Sequence, residues 1–93
     1  MLRCDVLIIG SGLAGLTSAL KLADHKKVLI VSKREILDSS SQWAQGGVAA
    51  VMSNEDSIES HVKDTEFVGG GLTDPKVAHF VASHGKEAIE WLH

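Results

Sequence analysis

The sequence predicts an α/β fold that begins with a βαβ unit, in which two parallel strands are joined by a helix. Two short apolar runs at 6–9 and 27–32 have the length and β-branched content of strands buried in a parallel sheet. A stripe of apolar residues at helical spacing lies between them, at Leu13, Leu16, Leu20 and Ala23. The predicted architecture is an incomplete parallel sheet with additional helices, since only two strong strands precede a helical second half.

The turn after the first strand carries three glycines in the pattern of a Rossmann-like dinucleotide-binding motif. Gly10 allows the chain to reverse tightly, Gly12 allows the backbone to approach a diphosphate, and Gly15 allows the helix to pack closely on the sheet. A helix N-terminus at this place attracts the negative charge of a diphosphate. The alternative is a glycine-bearing helix entry that binds no ligand. The strand before the motif and the helix after it favour the dinucleotide interpretation.

The end of the second strand departs from the usual dinucleotide pattern. An acidic residue normally binds the ribose hydroxyls there, whereas this chain has Ser32, Lys33 and Arg34, and Glu35 comes too late to substitute. A hydroxyl and two cations suit a ribose phosphate, as in NADP. For Arg34, a solvated basic turn is an equally good interpretation.

Composition excludes several function classes. The chain has 93 residues, 44% of them hydrophobic, and a formal net charge of −3, so we expect no nucleic-acid or membrane partner. The first apolar run is too short for a membrane span or secretory leader. One cysteine, Cys4, cannot form an internal disulfide and is expected to be a small buried strand residue in a cytoplasmic protein. The five histidines lack metal-ligand spacing, and the serines lack a triad partner.

A polar segment at 38–47 follows the second strand. It contains three serines, two glutamines and Trp43 and ends in two glycines, so we expect an ordered loop that faces a ligand. The alternative is a solvated turn with a buried tryptophan.

Two helices are expected in the second half of the chain. The first is predicted to be capped by Asp56 and Glu59 and to end at the glycines at 69–71, and the second to begin at Asp74 and Pro75 and to be bent or interrupted at Gly85. Their expected inward residues are Ile58, Val62 and Thr65 in the first, and Val77, Phe80, Val81, Ala88, Ile89 and Leu92 in the second.

Four segments together resemble the succinate dehydrogenase and fumarate reductase flavoprotein family, and within it the branch that oxidises L-aspartate. They are the glycine motif at 5–15, the strand end at 31–33, the serine-to-glycine loop at 40–50 and the helix at 56–65. This resemblance implies FAD as cofactor rather than NADP, since Ser32 and Lys33 are usual for that branch. It also implies that residues 1–93 are the N-terminal part of an FAD-binding domain, with the capping and C-terminal helical domains outside this chain.

The resemblance further implies the residues that contact FAD. The helix start would meet the pyrophosphate, and the loop would lie along the ribityl chain and flavin ring. Respiratory members of the family attach the flavin to a loop histidine, and because Ser40 takes that position here we expect noncovalent FAD. The cofactor-binding residues expected are Gly10, Ser11, Gly12, Leu13, Ala14, Gly15, Ser32, Lys33, Ser40, Ser41, Gln42, Trp43, Ala44, Gln45, Gly46 and Gly47.

By the same resemblance, the reaction is oxidation of L-aspartate to iminoaspartate, with hydride transfer to flavin N5 and reoxidation by oxygen or fumarate. It is the first step of NAD biosynthesis, with quinolinate synthase as the pathway partner. We assign no catalytic or metal-binding residue, because the groups that clamp dicarboxylates are expected downstream, and these residues alone are expected to be inactive. The alternatives are a soluble fumarate reductase or succinate dehydrogenase-type flavoprotein, and a noncatalytic nucleotide-binding fragment.

Overall fold

The computed structural model describes residues 1–93 as two compact units, Met1–Gly46 and Gly47–His93. The first unit contains strand β1 (Val6–Ile9), helix α1 (Leu13–Leu22), strand β2 (Val28–Val31) and the one-turn helix α2 (Ser40–Trp43). The second contains helices α3 (Ile58–Val68) and α4 (Pro75–Leu92). None of the helices combines the length and apolar character needed to cross a membrane.

The two strands form a parallel sheet, so the predicted α/β fold with a βαβ unit is confirmed. Val6 pairs with Val28 and Ile9 with Val31, which brings both carboxyl ends to the same edge. Asp5 fixes the opposite edge, because its Oδ2 accepts a hydrogen bond of 2.7 Å from the Lys27 backbone N–H. The register therefore places the glycine turn beside the residues that follow β2.

Helix α1 packs on the sheet through its small residues rather than through its leucine stripe. Ala19 is buried and Gly15 and Leu22 are half-buried, whereas Leu13 and Leu20 are exposed. Ala23 is exposed as well, so of the predicted stripe only Leu16 is half-buried. Close contact between Gly15 and the Gly10 carbonyl explains the difference, because residues four and seven positions after Gly15 then face the strands.

Neither strand is fully buried, which corrects the expectation from the sequence. In β2, Val28, Leu29 and Ile30 are half-buried and Val31 is exposed, whereas burial in β1 alternates. Val6 and Ile8 are half-buried, whereas Leu7 and Ile9 are 54% and 84% exposed. Side chains alternate between the two faces of a strand, and α1 covers the face that carries Ile8. Cys4 is exposed and lies before β1, so its expected place as a buried strand residue is wrong.

Helix α3 begins at a serine cap. Ser57 Oγ accepts a hydrogen bond of 3.1 Å from the Ser60 N–H. The predicted cap Asp56 lies one residue too early and instead accepts a hydrogen bond from the Ser57 N–H, while Glu59 lies in the first turn. The helix ends at the glycines as predicted.

Helix α4 begins as predicted, with Asp74 as the cap and Pro75 in the first turn. Asp74 Oδ1 accepts hydrogen bonds from the Lys76 and Val77 N–H groups, at 2.8 and 3.3 Å. The helix runs without interruption through Gly85, which corrects the predicted break.

The two helices of the second unit pack against each other, with Val62 of α3 buried. On α4 the half-buried residues are Ala78, Ala82, Gly85 and Ile89. The predicted inward residues Thr65, Val77, Phe80, Val81, Ala88 and Leu92 are exposed. Small side chains let neighbouring segments approach closely, so they occupy the contact face that the larger residues were expected to fill.

Candidate functional site

A cleft of about 700 Å³ in the first unit brings three separate segments together. They are the turn between β1 and α1, the residues after β2, and the segment that leads into α2. The lining residues are Gly10, Ser11, Gly12, Ser32, Lys33, Arg34, Asp38, Ser39, Ser40, Ser41 and Trp43. This is the edge where parallel α/β sheets bind ligands, because the carboxyl ends of the strands and the helix N-terminus meet there.

Two of the glycines are required by the geometry of the turn. Gly10 has a φ of +114°, a conformation that L side chains rarely adopt. A Cβ on Gly15 would lie 2.5 Å from the Gly10 carbonyl oxygen and 3.2 Å from Ile8 Cγ2. The Gly10 N–H donates a hydrogen bond of 2.8 Å to the Val31 carbonyl, which ties the turn to β2. The glycines therefore let α1 start directly at the cleft.

The N-terminus of α1 has no side-chain cap of its own. Gly12 is the N-cap residue, and the Leu13 N–H donates instead to Ser41 Oγ at 3.1 Å. The first intrahelical bond runs from the Leu16 N–H to the Gly12 carbonyl. The N–H groups of Ala14 and Gly15 therefore have no carbonyl partner within the helix and are suited to bind an anion.

Ser11 connects the glycine turn to the segment after β2. Its side chain is buried, 6% exposed, and Oγ donates a hydrogen bond of 2.8 Å to the Ile36 carbonyl. Ser11 also lines the cleft. The bond spans 25 residues and holds both walls of the cleft together.

The residues after β2 form a polar network at the cleft. Arg34 and Asp38 form an ion pair of 3.3 Å, and the Trp43 indole N–H donates to the other Asp38 oxygen at 3.4 Å. The Ser32 hydroxyl donates to the Arg34 carbonyl, while Lys33 is exposed. Arg34 is 73% exposed, in agreement with the alternative of a solvated basic turn, and it also lines the cleft with Asp38. The spacing of four between these opposite charges is the signal that could have indicated their pairing.

The segment expected to be a loop contains the one-turn helix α2. Ser39 caps it, because Ser39 Oγ accepts a hydrogen bond of 3.4 Å from the Gln42 N–H. Trp43 is 75% exposed, which rules out the alternative of a buried tryptophan. Ser39 was missed as a cleft residue, although a serine before a short polar run is a typical N-cap.

Several predicted cofactor-binding residues do not line this cleft: Leu13, Ala14, Gly15, Gln42, Ala44, Gln45, Gly46 and Gly47. Leu13 is hydrogen-bonded to Ser41, which does line the cleft. Gly46 ends the first unit and Gly47 begins the second, and a Cβ on either would meet no atom within 4 Å. No contact in the structure therefore accounts for a glycine at these two positions.

The cleft fits a dinucleotide. Its volume lies within the range of about 300–1,000 Å³ typical of small-molecule sites. It combines the glycine turn before the N-terminus of α1, the exposed Lys33 and several hydroxyls, which is the donor set that a diphosphate and a ribose require.

The sequence profile of the family described as "FAD binding domain" matches residues 5–93. The chain belongs to this FAD-binding family. Its cofactor is therefore FAD, as the resemblance implied, and the NADP interpretation of the basic strand end is set aside.

Curated relatives of this FAD-binding chain are L-aspartate oxidases. It is 51% identical over 88 residues to L-aspartate oxidase 1 of Ralstonia nicotianae, covering 95% of this chain and 16% of that protein. It is 49% identical over 90 residues to L-aspartate oxidase of Vibrio cholerae, covering 97% of this chain and 17% of that protein. The chain thus spans 16–17% of the length of these two relatives.

A solved structure shows the same fold. The FrdA chain of E. coli quinol fumarate reductase, in a mutated form, superposes with a TM-score of 0.91 and 32% identity, covering 98% of this chain and 16% of that one. The predicted relationship to fumarate reductase flavoproteins and L-aspartate oxidases is confirmed.

Proposed function

We propose that residues 1–93 are the N-terminal part of the FAD-binding domain of an L-aspartate oxidase, and that the capping and C-terminal helical domains lie outside this chain. The observation that carries the proposal is the cleft, where the glycine turn, the end of β2 and the serine segment meet. Identity of about half over nearly the whole chain to L-aspartate oxidases supports this substrate over others.

The residues of the cleft would bind and orient the cofactor. The Gly12 backbone lines the cleft, and the N–H groups of Ala14 and Gly15 belong to the first turn of α1, which begins there; together they would bind the diphosphate, and the charge of Lys33 would add to the attraction. Ser40 also lines the cleft, and by resemblance the segment that begins there would lie along the ribityl chain and flavin. When bound, FAD supplies the hydride acceptor for oxidation of L-aspartate to iminoaspartate.

We further propose that FAD is held noncovalently. Ser40 lies in the cleft at the position where, by resemblance, respiratory members of the family carry the histidine that bonds to the flavin. A serine hydroxyl cannot form that histidyl linkage, so noncovalent contacts would hold the cofactor.

The wider role follows from the same relatives. We propose a cytoplasmic enzyme whose reduced cofactor is reoxidised by oxygen or fumarate, and whose product is used by quinolinate synthase in the first steps of NAD biosynthesis. Groups that clamp the dicarboxylate would come from the remainder of the protein, so no residue of this chain is assigned to catalysis.

The test is a substrate assay on the full-length protein. L-aspartate should reduce the bound flavin, whereas succinate should not. A soluble fumarate reductase is the second candidate, because the FrdA structure superposes so closely. Reduction of fumarate without oxidation of L-aspartate would favour that candidate and reject the proposed substrate.

The proposed cofactor site has its own test. Lys33→Ala should weaken FAD binding several-fold, because it removes a cation from the cleft. Lys63→Ala is the matched control, since Lys63 is an exposed lysine on α3 that lines none of this cleft. Equal FAD affinity in the two variants would show that the diphosphate does not bind near Lys33.

A further inference from the structure

The basic end of β2 contains an acidic partner that the sequence pattern did not reveal. Asp38 lines the cleft together with Lys33 and Arg34. One Asp38 oxygen lies 3.3 Å from the Arg34 guanidinium, and the other accepts a hydrogen bond of 3.4 Å from the Trp43 indole. Both oxygens are engaged, so Arg34 and Trp43 together orient the carboxylate.

This position matters because the end of the second strand is where βαβ dinucleotide folds contact the adenosine ribose. An arginine there commonly binds the 2′-phosphate that distinguishes NADP from NAD, and two cations after Ser32 would be expected to do the same. In this structure the guanidinium already faces a carboxylate. A 2′-phosphate at Arg34 would have to compete with Asp38 and approach its negative charge.

We propose that Asp38 is a specificity-determining residue, which pairs with Arg34 and so makes the cleft select dinucleotides with a free ribose 2′-hydroxyl over 2′-phosphorylated ones. The inference rests on the proposed function, since it assumes that the adenosine half of FAD lies at the end of β2. It explains how a Ser-Lys-Arg strand end can belong to an FAD site.

The effect is modest in size because the ion pair is exposed. The Arg34 and Asp38 side chains are 73% and 37% exposed. Pairs of this kind contribute up to about 1 kcal/mol, and a phosphate carries close to two charges, so removal of the carboxylate should change discrimination about threefold to tenfold at low salt.

The experiment compares two ligands that differ in one phosphate, ADP-ribose and 2′-phospho-ADP-ribose. Their dissociation constants are measured by calorimetry on the full-length protein after removal of its flavin. Asp38→Asn removes the charge but retains an oxygen that can accept the Trp43 hydrogen bond. It should raise the affinity for the 2′-phosphorylated ligand, relative to ADP-ribose, by about threefold to tenfold. Adding Arg34→Ala should abolish this gain.

Glu35→Gln is the matched control, because it removes the same charge from an exposed neighbour that does not line the cleft. It should change the affinity ratio less than twofold. Asp38→Ser provides a second charge-removing variant if the asparagine protein is poorly folded, and the same gain is expected from it.

Two results would overturn the inference: an unchanged ratio in both Asp38 variants, or a gain that persists without Arg34. Neither depends on flavin chemistry. Failure of the proposed function would give a different result. The wild-type protein would then bind ADP-ribose but not FAD, or it would not oxidise L-aspartate. The two proposals can therefore fail separately.

Discussion

Replacing Gly15 by alanine tests the close contact on which the cleft depends. The new Cβ would lie 2.5 Å from the Gly10 carbonyl oxygen, a backbone atom that cannot rotate away. Alanine favours a helix over glycine by about 1 kcal/mol, whereas overpacking at a close contact costs about 1–3 kcal/mol. Because the contact is with a backbone atom, the cost should lie in the upper part of this range, at about 2–3 kcal/mol, so we expect Gly15→Ala to lower the free energy of unfolding by about 1–2 kcal/mol. FAD affinity should fall about tenfold as well, because the contact belongs to the turn that presents the diphosphate site.

The same substitution at Gly85 provides a control of opposite sign. Gly85 lies within α4, and a Cβ there would be 3.6 Å from Ala50 Cβ, an ordinary contact. Gly85→Ala should therefore raise stability by up to about 1 kcal/mol and leave FAD affinity unchanged. Thermal unfolding and fluorescence titration with FAD on the full-length protein measure both effects. If Gly15→Ala were as stable as wild type and bound FAD equally well, the steric reasoning would be refuted.

Three further predictions concern other contacts. Ser41→Ala should weaken FAD binding severalfold and Ser41→Thr much less, because only the alanine variant leaves the Leu13 N–H without its acceptor. Equal FAD affinities of the two variants in fluorescence titration would contradict this. Acid precipitation of the full-length holoenzyme should release all flavin into the supernatant, since Ser40 cannot bond to it; flavin absorbance in the pellet would disprove this. Asp74→Ala should reduce stability by about 1 kcal/mol in thermal unfolding and leave FAD titration unchanged, because Asp74 caps α4.

Local sequence signals predicted the elements whose causes are local. The βαβ unit follows from two apolar runs and three glycines, and α4 begins at Asp74 and Pro75 as an N-cap carboxylate and an N1 proline require. The sequence also predicted that three distant segments meet at one cleft, because the strand ends and the start of the helix lie at the same edge of a parallel sheet. Whether the individual residues contact FAD stays a prediction.

Packing faces could not be predicted in the same way. The leucines of α1 and the large apolar residues of α4 form plausible helical stripes, yet Leu20 and Phe80 are 65% and 64% exposed. Small residues decide instead, because Gly15 and Ala19 let α1 approach the sheet more closely than a leucine face would. Periodicity measures where apolar side chains recur, whereas contact depends on how near two backbones come.

The spacing of Arg34 and Asp38 could indicate their pairing, but the second Asp38 partner could not be predicted, because Trp43 lies on the one-turn helix α2. Ser39 caps that turn, and Trp43 at its end lies within hydrogen-bond distance of the carboxylate.

Hydrogen bonds between its walls stabilise the cleft, and this bears on how tightly it can bind. The buried Ser11 hydroxyl donates a hydrogen bond to the Ile36 carbonyl, and Ser41 Oγ accepts one from the Leu13 N–H, so both walls are joined across 25 and 28 residues. A site that is already ordered loses less conformational entropy on binding than a loop that must fold around its ligand. Much of the interaction energy of the diphosphate would then appear as affinity, which is why the loss of a single hydroxyl at Ser41 should be measurable in a flavin titration.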